Sequence, residues 1–130
     1  MDRNAGKGTG EAPRAYPPWY WVRGLHDAEI LGLREIPPLR GSQAPCLEIA
    51  LDASGALLDT EITRLTLFSF RWNSAPAPLA EPPRLWWLRD RLTAIPDGRY
   101  RLEVVLQNAR RRHVFWDVSF EEAALERLEA

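Results

Sequence analysis

Apolar and polar side chains alternate along two stretches in the last third of the chain, residues 99–107 and 113–120. The apolar positions are Tyr100, Leu102, Val104 and Leu106 in the first stretch, and Val114, Trp116, Val118 and Phe120 in the second. A period of two is typical of a half-buried strand. Because only a short turn around residues 108–111 separates the two stretches, the sequence predicts an antiparallel hairpin with one apolar face.

The segment just before this hairpin has a different spacing. Its apolar residues Leu85, Leu88, Leu92 and Ile95 recur at i, i+3, i+7 and i+10, and a Pro-Asp-Gly turn ends the segment at residues 96–98. This spacing predicts a helix over 85–95 that covers the apolar face of the hairpin. On that helix Trp86 points away from the leucine stripe, which predicts that its side chain lies at the surface.

Three further strands are predicted upstream, over residues 28–36, 47–51 and 62–72, because apolar and β-branched residues are concentrated there between turn-forming segments. A Pro- and Ala-rich connection over 73–83 is predicted to cross the surface as a loop. After the hairpin, Ser119 and Glu122 have the spacing of a capping box and predict a final short helix.

The element order is therefore β-β-β-α-β-β-α, which predicts an α+β fold: a mostly antiparallel sheet of about five strands with one main helix on one face. Residues 1–15 are rich in glycine and polar residues and are predicted to be a disordered tail. Residues 16–130 are predicted to form a single domain, because the chain is too short for two well-packed cores.

Composition narrows the function classes. The formal net charge of −1 and the pI near 6.1 provide no bulk positive field, which argues against a nucleic-acid-binding protein. The single cysteine, Cys46, excludes an internal disulfide and agrees with a reducing cytoplasm. No secretory signal and no apolar run long enough for a transmembrane span is found, so we expect a soluble cytoplasmic protein without membrane association.

His26 and Asp27, followed by Glu29, are the residues with the most obvious potential for chemistry. A histidine beside carboxylates can act as a general base or bind a metal, which would fit a small hydrolase or metal-dependent enzyme. The favoured interpretation is structural, with His26 and Asp27 forming the turn that enters the first strand. The only other histidine, His113, has no metal-site spacing to His26, so we predict no metal site, no cofactor and no catalytic residue.

Two further features predict binding rather than catalysis. The turn of the last hairpin carries three consecutive arginines, Arg110, Arg111 and Arg112, which could contact phosphates or an acidic partner, although charged hairpin tips commonly serve only solubility. Six tryptophans are many for 130 residues, and Trp86 together with Trp19 or Trp21 could line an exposed apolar patch.

Three short motifs also resemble a known group of proteins. They are the run Leu25-His26-Asp27-Ala28-Glu29-Ile30, the strand Leu47-Glu48-Ile49-Ala50-Leu51-Asp52, and Trp86-Trp87-Leu88 ahead of Gly98-Arg99-Tyr100. In these the chain resembles small uncharacterised bacterial domains that open with an L-H-D-A-x-[IL] segment. The resemblance implies a β-rich fold and an accessory or immunity-like role, and it transfers no catalytic residue.

The sequence therefore predicts a non-enzymatic protein-interaction or accessory domain. Its binding residues are predicted to be the exposed aromatics near Trp86, the basic turn and the pair His26 and Asp27. Its partner is predicted to be either another protein or a second copy of the chain. The small hydrolase built on His26, Asp27 and Glu29 is the alternative.

Overall fold

The computed structural model describes residues 17–21, 24–38, 44–54, 56 and 64–126. The predicted disordered tail, residues 1–15, lies outside these ranges. The described part of the chain contains eight strands: β1 (Glu29–Ile36), β2 (Cys46–Asp52), β3 (Arg64–Phe68), β4 (Arg71–Trp72), β5 (Leu85–Ile95), β6 (Arg99–Asn108), β7 (His113–Phe120) and β8 (Glu122–Glu126). The only helical element in these ranges is a 3-10 turn at Pro96–Gly98 between β5 and β6.

The strands form one antiparallel sheet in the order β4-β7-β6-β5-β1-β2-β3-β8. The two ends of this order are joined by the chain itself, because β4 follows β3 after Ser69 and Phe70, and β8 follows β7 after Glu121. β3 pairs with β8 while β4 pairs with β7, and the Glu121 backbone N–H donates to the Phe68 carbonyl at 2.9 Å between the two pairings. The sheet therefore closes on itself, with β3–β4 and β7–β8 each acting as one bent strand.

Irregular positions in the strands make this closure possible. In β5 the register shifts between Trp87 and Arg89, so the inward-facing positions change from odd to even numbers at the extra residue, Leu88. β1 shows the same shift between Ile30 and Gly32. A β-bulge bends a strand and increases its twist, as a sheet that curls onto itself requires.

The two bent strands change their inward-facing positions in the same way. Leu67 is buried before the bend at Ser69, and Phe70 is buried after it. Phe120 and Ala123 flank the bend at Glu121 and are both buried. Ser69 has φ 57°, a left-handed conformation that lets the chain turn within the strand.

The interior of the closed sheet is a single apolar core to which strands on every side contribute. Trp87 and Phe120 are the largest of its fully buried side chains, and each contributes about 2 to 3 kcal/mol of gross burial free energy. The alternation predicted for the last hairpin is confirmed: Leu102, Val104 and Leu106 are buried on β6, and Trp116, Val118 and Phe120 are buried on β7. The upstream strands predicted over 28–36 and 47–51 are present as β1 and β2.

The predicted α+β fold is wrong, because the described chain is an all-β antiparallel sheet with eight strands rather than about five and without either predicted helix. Residues 85–95 form strand β5, which pairs with β6 along its whole length. The extra residue Leu88 lets Leu85 and Leu92, seven residues apart, both face the core, and this spacing also fits one face of a helix.

The predicted final helix is also wrong, since residues 122–126 form β8 and pair with β3. A two-turn helix is marginal by itself, whereas a strand at this position gains backbone hydrogen bonds and buries Ala123 at 5% exposure. In the described part of the chain, no helix is long and apolar enough to cross a membrane.

β1 and β5 meet over only a few residues. Glu29 lies opposite Trp86 and Ile30 opposite Leu85, while Trp87 exchanges backbone hydrogen bonds with Asp27 and Ala28 at 2.8 Å. Beyond this contact the two strands diverge. The segment before β1 borders the remainder of β5, and the Pro-rich connection borders the remainder of β1. This divergence leaves a gap between the two strands, which we call the seam, on either side of the β1–β5 contact.

Two glycines, Gly98 and Gly32, allow a test of the backbone conformation in the turn between β5 and β6. Gly98 has φ 71° in the turn between β5 and β6, whereas the φ of Gly32 lies outside the left-handed region. A Cβ added at either site would contact nothing within 4 Å. We expect Gly98→Ala to lower the free energy of unfolding by about 1 kcal/mol through backbone strain. The matched variant Gly32→Ala should raise it by about 0.5 kcal/mol. Urea denaturation measures both, and equal effects of the two substitutions would contradict the assigned turn.

Candidate functional site

A concave surface lies on the outer face of β5, β6 and β7. It is a cleft of about 630 Å³, and we call it the β5–β7 cleft. The outward-facing side chains that line it are Arg89, Arg91, Glu103, Val105, Phe115 and Asp117. Its volume is in the range of pockets that hold small ligands or single anchoring side chains.

Part of the cleft surface is apolar. Val105 on β6 lies directly opposite Phe115 on β7, and Phe115 is 66% exposed. The His113 ring stands edge-on to Phe115, with 6.3 Å between the ring centroids. An exposed aromatic side chain on an apolar floor leaves surface in water that a partner could cover.

Ion pairs lie on one side of this apolar pair, in the next rows of residues along β5, β6 and β7. The Arg101 guanidinium donates to both carboxylate oxygens of Asp117, at 2.9 and 2.7 Å, and the Arg91 guanidinium lies 3.0 Å from Oε1 of Glu103. The hydrogen bond from Arg101 lowers the pKa of Asp117 below its ordinary value, assisted by the Asn73 amide, while burial acts in the opposite direction. The same bond raises the pKa of Arg101.

The accessible part of this charged rim is basic. The side chain of Arg91 is 76% exposed, while those of Glu103 and Asp117 are 32% and 22% exposed and already accept hydrogen bonds from arginines. Arg89 is also exposed. An approaching ligand would therefore meet guanidinium groups before it met carboxylates.

The predicted basic turn lies at one end of the same three strands. Arg110, Arg111 and Arg112 are exposed between β6 and β7. Asn108 holds the turn, because its Oδ1 accepts the backbone N–H groups of Arg110 and Arg112, both at 2.9 Å.

Trp86 lies at this end as well, half-buried on the outer face of β5. It is opposite Gln107, which in turn is opposite His113, so Trp86 and the start of β7 are about 10 Å apart across the sheet. The structure therefore brings Trp86 and the basic turn to one end of one face.

Trp19 and Trp21 lie elsewhere, on the inner side of the sheet. Trp21 is 5% exposed and stands edge-on to Trp87, with the ring centroids 5.7 Å apart. Trp19 is half-buried against Tyr100 and Phe120. Because Trp86 and Trp87 point to opposite faces of β5, neither Trp19 nor Trp21 shares a surface with Trp86.

A carboxylate that sequence reasoning missed anchors this inner aromatic cluster. Asp90, half-buried on β5, accepts hydrogen bonds from the indoles of Trp21 at 2.8 Å and Trp87 at 2.7 Å, and from the Tyr20 hydroxyl at 2.5 Å. The bulge at Leu88 turns Asp90 inward. No local sequence pattern indicates a bulge at that residue, so the sequence contained no signal for this arrangement.

His26, Asp27 and Glu29 do not line the β5–β7 cleft. The His26 Nδ1 lies 2.6 Å from the Leu88 carbonyl oxygen, and its Nε2 lies 3.5 Å from Asp27. Asp27 has φ 73° and a backbone N–H bonded to Trp87, and its side chain is 62% exposed. Across the described ranges, no three histidine, cysteine or acidic side chains are grouped as metal ligands would be.

Comparison with known proteins gives no family assignment: no protein-family model, no curated protein and no solved structure matches this chain. The resemblance to the L-H-D-A-x-[IL] domains therefore stays a prediction.

The Asp90 arrangement makes a prediction about stability. Asp90→Ala leaves two indole N–H groups and a phenol without their acceptor, and we expect the free energy of unfolding to fall by about 3 kcal/mol. Asp97→Asn, at an exposed turn, is the matched control and should change it by less than about 0.5 kcal/mol. Thermal unfolding followed by tryptophan fluorescence measures both variants. If Asp90→Ala unfolds at the same midpoint temperature as the wild type, the three hydrogen bonds contribute nothing to stability.

The Arg101–Asp117 pair makes a prediction about pH. Because the folded-state pKa of Asp117 is lowered, its stabilising contribution is complete above the ordinary aspartate pKa of about 4 and is lost as the pH falls through the lower folded value. The stability difference between the wild type and Asp117→Asn should therefore be largest at neutral pH and shrink below about pH 4. The stability difference between the wild type and Arg101→Gln should shrink below about pH 4 in the same way, because Arg101→Gln removes the cation that lowers the pKa of Asp117. Urea denaturation across this pH range tests the pair, and a pH-independent difference would contradict it.

Proposed function

We propose that this chain is a non-enzymatic, cytoplasmic protein-interaction domain whose binding surface is the β5–β7 cleft, extended by Trp86 and the basic turn of Arg110–Arg112. The observation that carries the proposal is Phe115, an aromatic side chain 66% exposed in a cleft that also carries charged side chains. Apolar contact area flanked by polar groups is typical of protein interfaces.

The charge of the rim supports an acidic partner. The exposed groups are the guanidinium ends of Arg89, Arg91 and the basic turn, while Glu103 and Asp117 already accept hydrogen bonds from arginines. We infer that the occupant is an acidic segment of another protein that places one apolar side chain against Phe115. Guanidinium groups bind carboxylates through paired hydrogen bonds, which would fix the orientation of such a segment.

The same charges argue against a second copy of this chain as the occupant. A symmetric dimer through the cleft would bring the same surface of both copies together, so each basic rim would face another basic rim. Like charges opposed across an interface destabilise it. The homodimer predicted from the exposed aromatics is therefore the less favoured form of the proposal.

Binding of acidic peptides tests this proposal. Fluorescence anisotropy with labelled acetyl-EDXDE-amide peptides, where X is Phe, Leu, Ile or Trp, should show saturable binding to the wild type. Phe115→Ser should weaken binding by at least about tenfold, and Arg91→Gln by about threefold. Leu31→Ser is the matched control, since Leu31 is 51% exposed but lies on β1 outside the cleft, and it should bind like the wild type.

Three outcomes would contradict the proposal. One is the absence of saturable binding for all four peptides at about 1 mM. Another is equal binding by Phe115→Ser and the wild type. The third is a dimer, measured by sedimentation, that Phe115→Ser converts to a monomer, because the occupant would then be a second copy.

A further inference from the structure

A second groove lies between β1 and the Pro-rich connection. It has a volume of about 510 Å³, and its two walls are the residues 31–35 of β1 and the segment 76–83. It is separate from the β5–β7 cleft, with which it shares no lining residue.

The β1 wall of this groove is an unpaired strand edge. β1 pairs with β2 along its whole length, but on its other side it pairs with β5 only at Glu29 and Ile30. In an antiparallel sheet each strand directs about half of its backbone groups to either side, so about half of those of residues 31–36 point into the groove. Within the described ranges these groups have no hydrogen-bond partner there.

The opposite wall cannot supply hydrogen-bond partners for the backbone groups at that edge. Four of its residues, Pro76, Pro78, Pro82 and Pro83, have no backbone N–H. Residues 74–84 make no backbone hydrogen bond to the rest of the described chain, and Leu79 packs against the core. The connection therefore faces the edge of β1 across the groove and makes no backbone hydrogen bonds with it.

The side chains of the groove favour a particular kind of occupant. Its charged members are Glu81 and Glu35, whose Oε2 accepts a hydrogen bond from the Trp72 indole at 3.1 Å, and its lining contains no basic residue. Leu31, 51% exposed, offers an apolar contact at one end. An extended segment with alternating basic and apolar side chains would match both the charges and the pleat of β1.

We propose that this groove binds an extended, basic segment of a partner protein, which adds to the edge of β1 as an antiparallel strand. Main-chain hydrogen bonds to residues 31–36 provide the affinity, as in other cases of strand addition. Glu81 selects basic side chains, and the second carboxylate oxygen of Glu35 contributes beside its bond to Trp72. A second copy of this chain fits poorly, because its β1 would carry the same acidic groups and its own Pro-rich connection.

Titration of the full chain with the peptide acetyl-KVRVKV-amide tests this inference by nuclear magnetic resonance. We expect amide shift changes concentrated in residues 31–36 and 76–83. A peptide N-methylated at alternate residues should bind at least about tenfold more weakly, because it lacks the N–H groups that pair with β1. Glu81→Gln should weaken binding by about threefold, and the control Glu122→Gln, an exposed glutamate on β8, should leave it unchanged.

The inference is overturned if the N-methylated peptide binds as well as the parent, if the shift changes map to the β5–β7 cleft, or if no shift changes occur at about 1 mM peptide. Phe115→Ser should leave binding of this peptide unchanged, just as Leu31→Ser should leave binding to the cleft unchanged. Failure at one site is therefore distinguishable from failure at the other.

Discussion

The pairing of β3–β4 with β7–β8 joins the two ends of the sheet, and the rest of the structure depends on that closure. A flat sheet of these strands would expose one apolar face, whereas the closed sheet places Trp87, Phe120 and the apolar residues of β2 in one interior. Closure requires strands that bend, and the chain bends at Leu31, Ser69, Leu88 and Glu121. At each of these positions the side chains that face the core change from odd to even numbers or the reverse.

Closure also determines where ligands could bind. The interior is filled by side chains, and two concave surfaces of the described chain lie on the outer face of β5–β7 and where β1 leaves β5. Asp90 links the interior to the seam, because the aromatic side chains it holds pack the segment before β1 against β5. The two proposed sites have opposite charge preferences, one for an acidic segment and the other for a basic one.

Local pattern was sufficient wherever a strand is straight. The β6–β7 hairpin has an uninterrupted alternation over both strands, and its inward and outward faces follow directly from the sequence. The same alternation placed Phe115 on the outer side, although nothing in the sequence distinguished it from other outward-facing residues. The basic turn could also be predicted as a surface feature, because a hairpin tip points into solvent. Trp86 was predicted to be at the surface from a helix that does not form, and on strand β5 it is half-buried on the outer face.

By itself, then, the sequence determined the strands with regular alternation, the turns that punctuate them and the exposed arginines, because these depend on residues close together in the chain. Only the tertiary structure decided that residues 85–95 form a strand and not a helix. A bulge within a strand and one face of a helix give the same spacing of leucines, and pairing with β6 selects the strand. It also decided that Asp90 meets Tyr20 and Trp21, since residues about seventy positions apart are brought together only when the sheet closes.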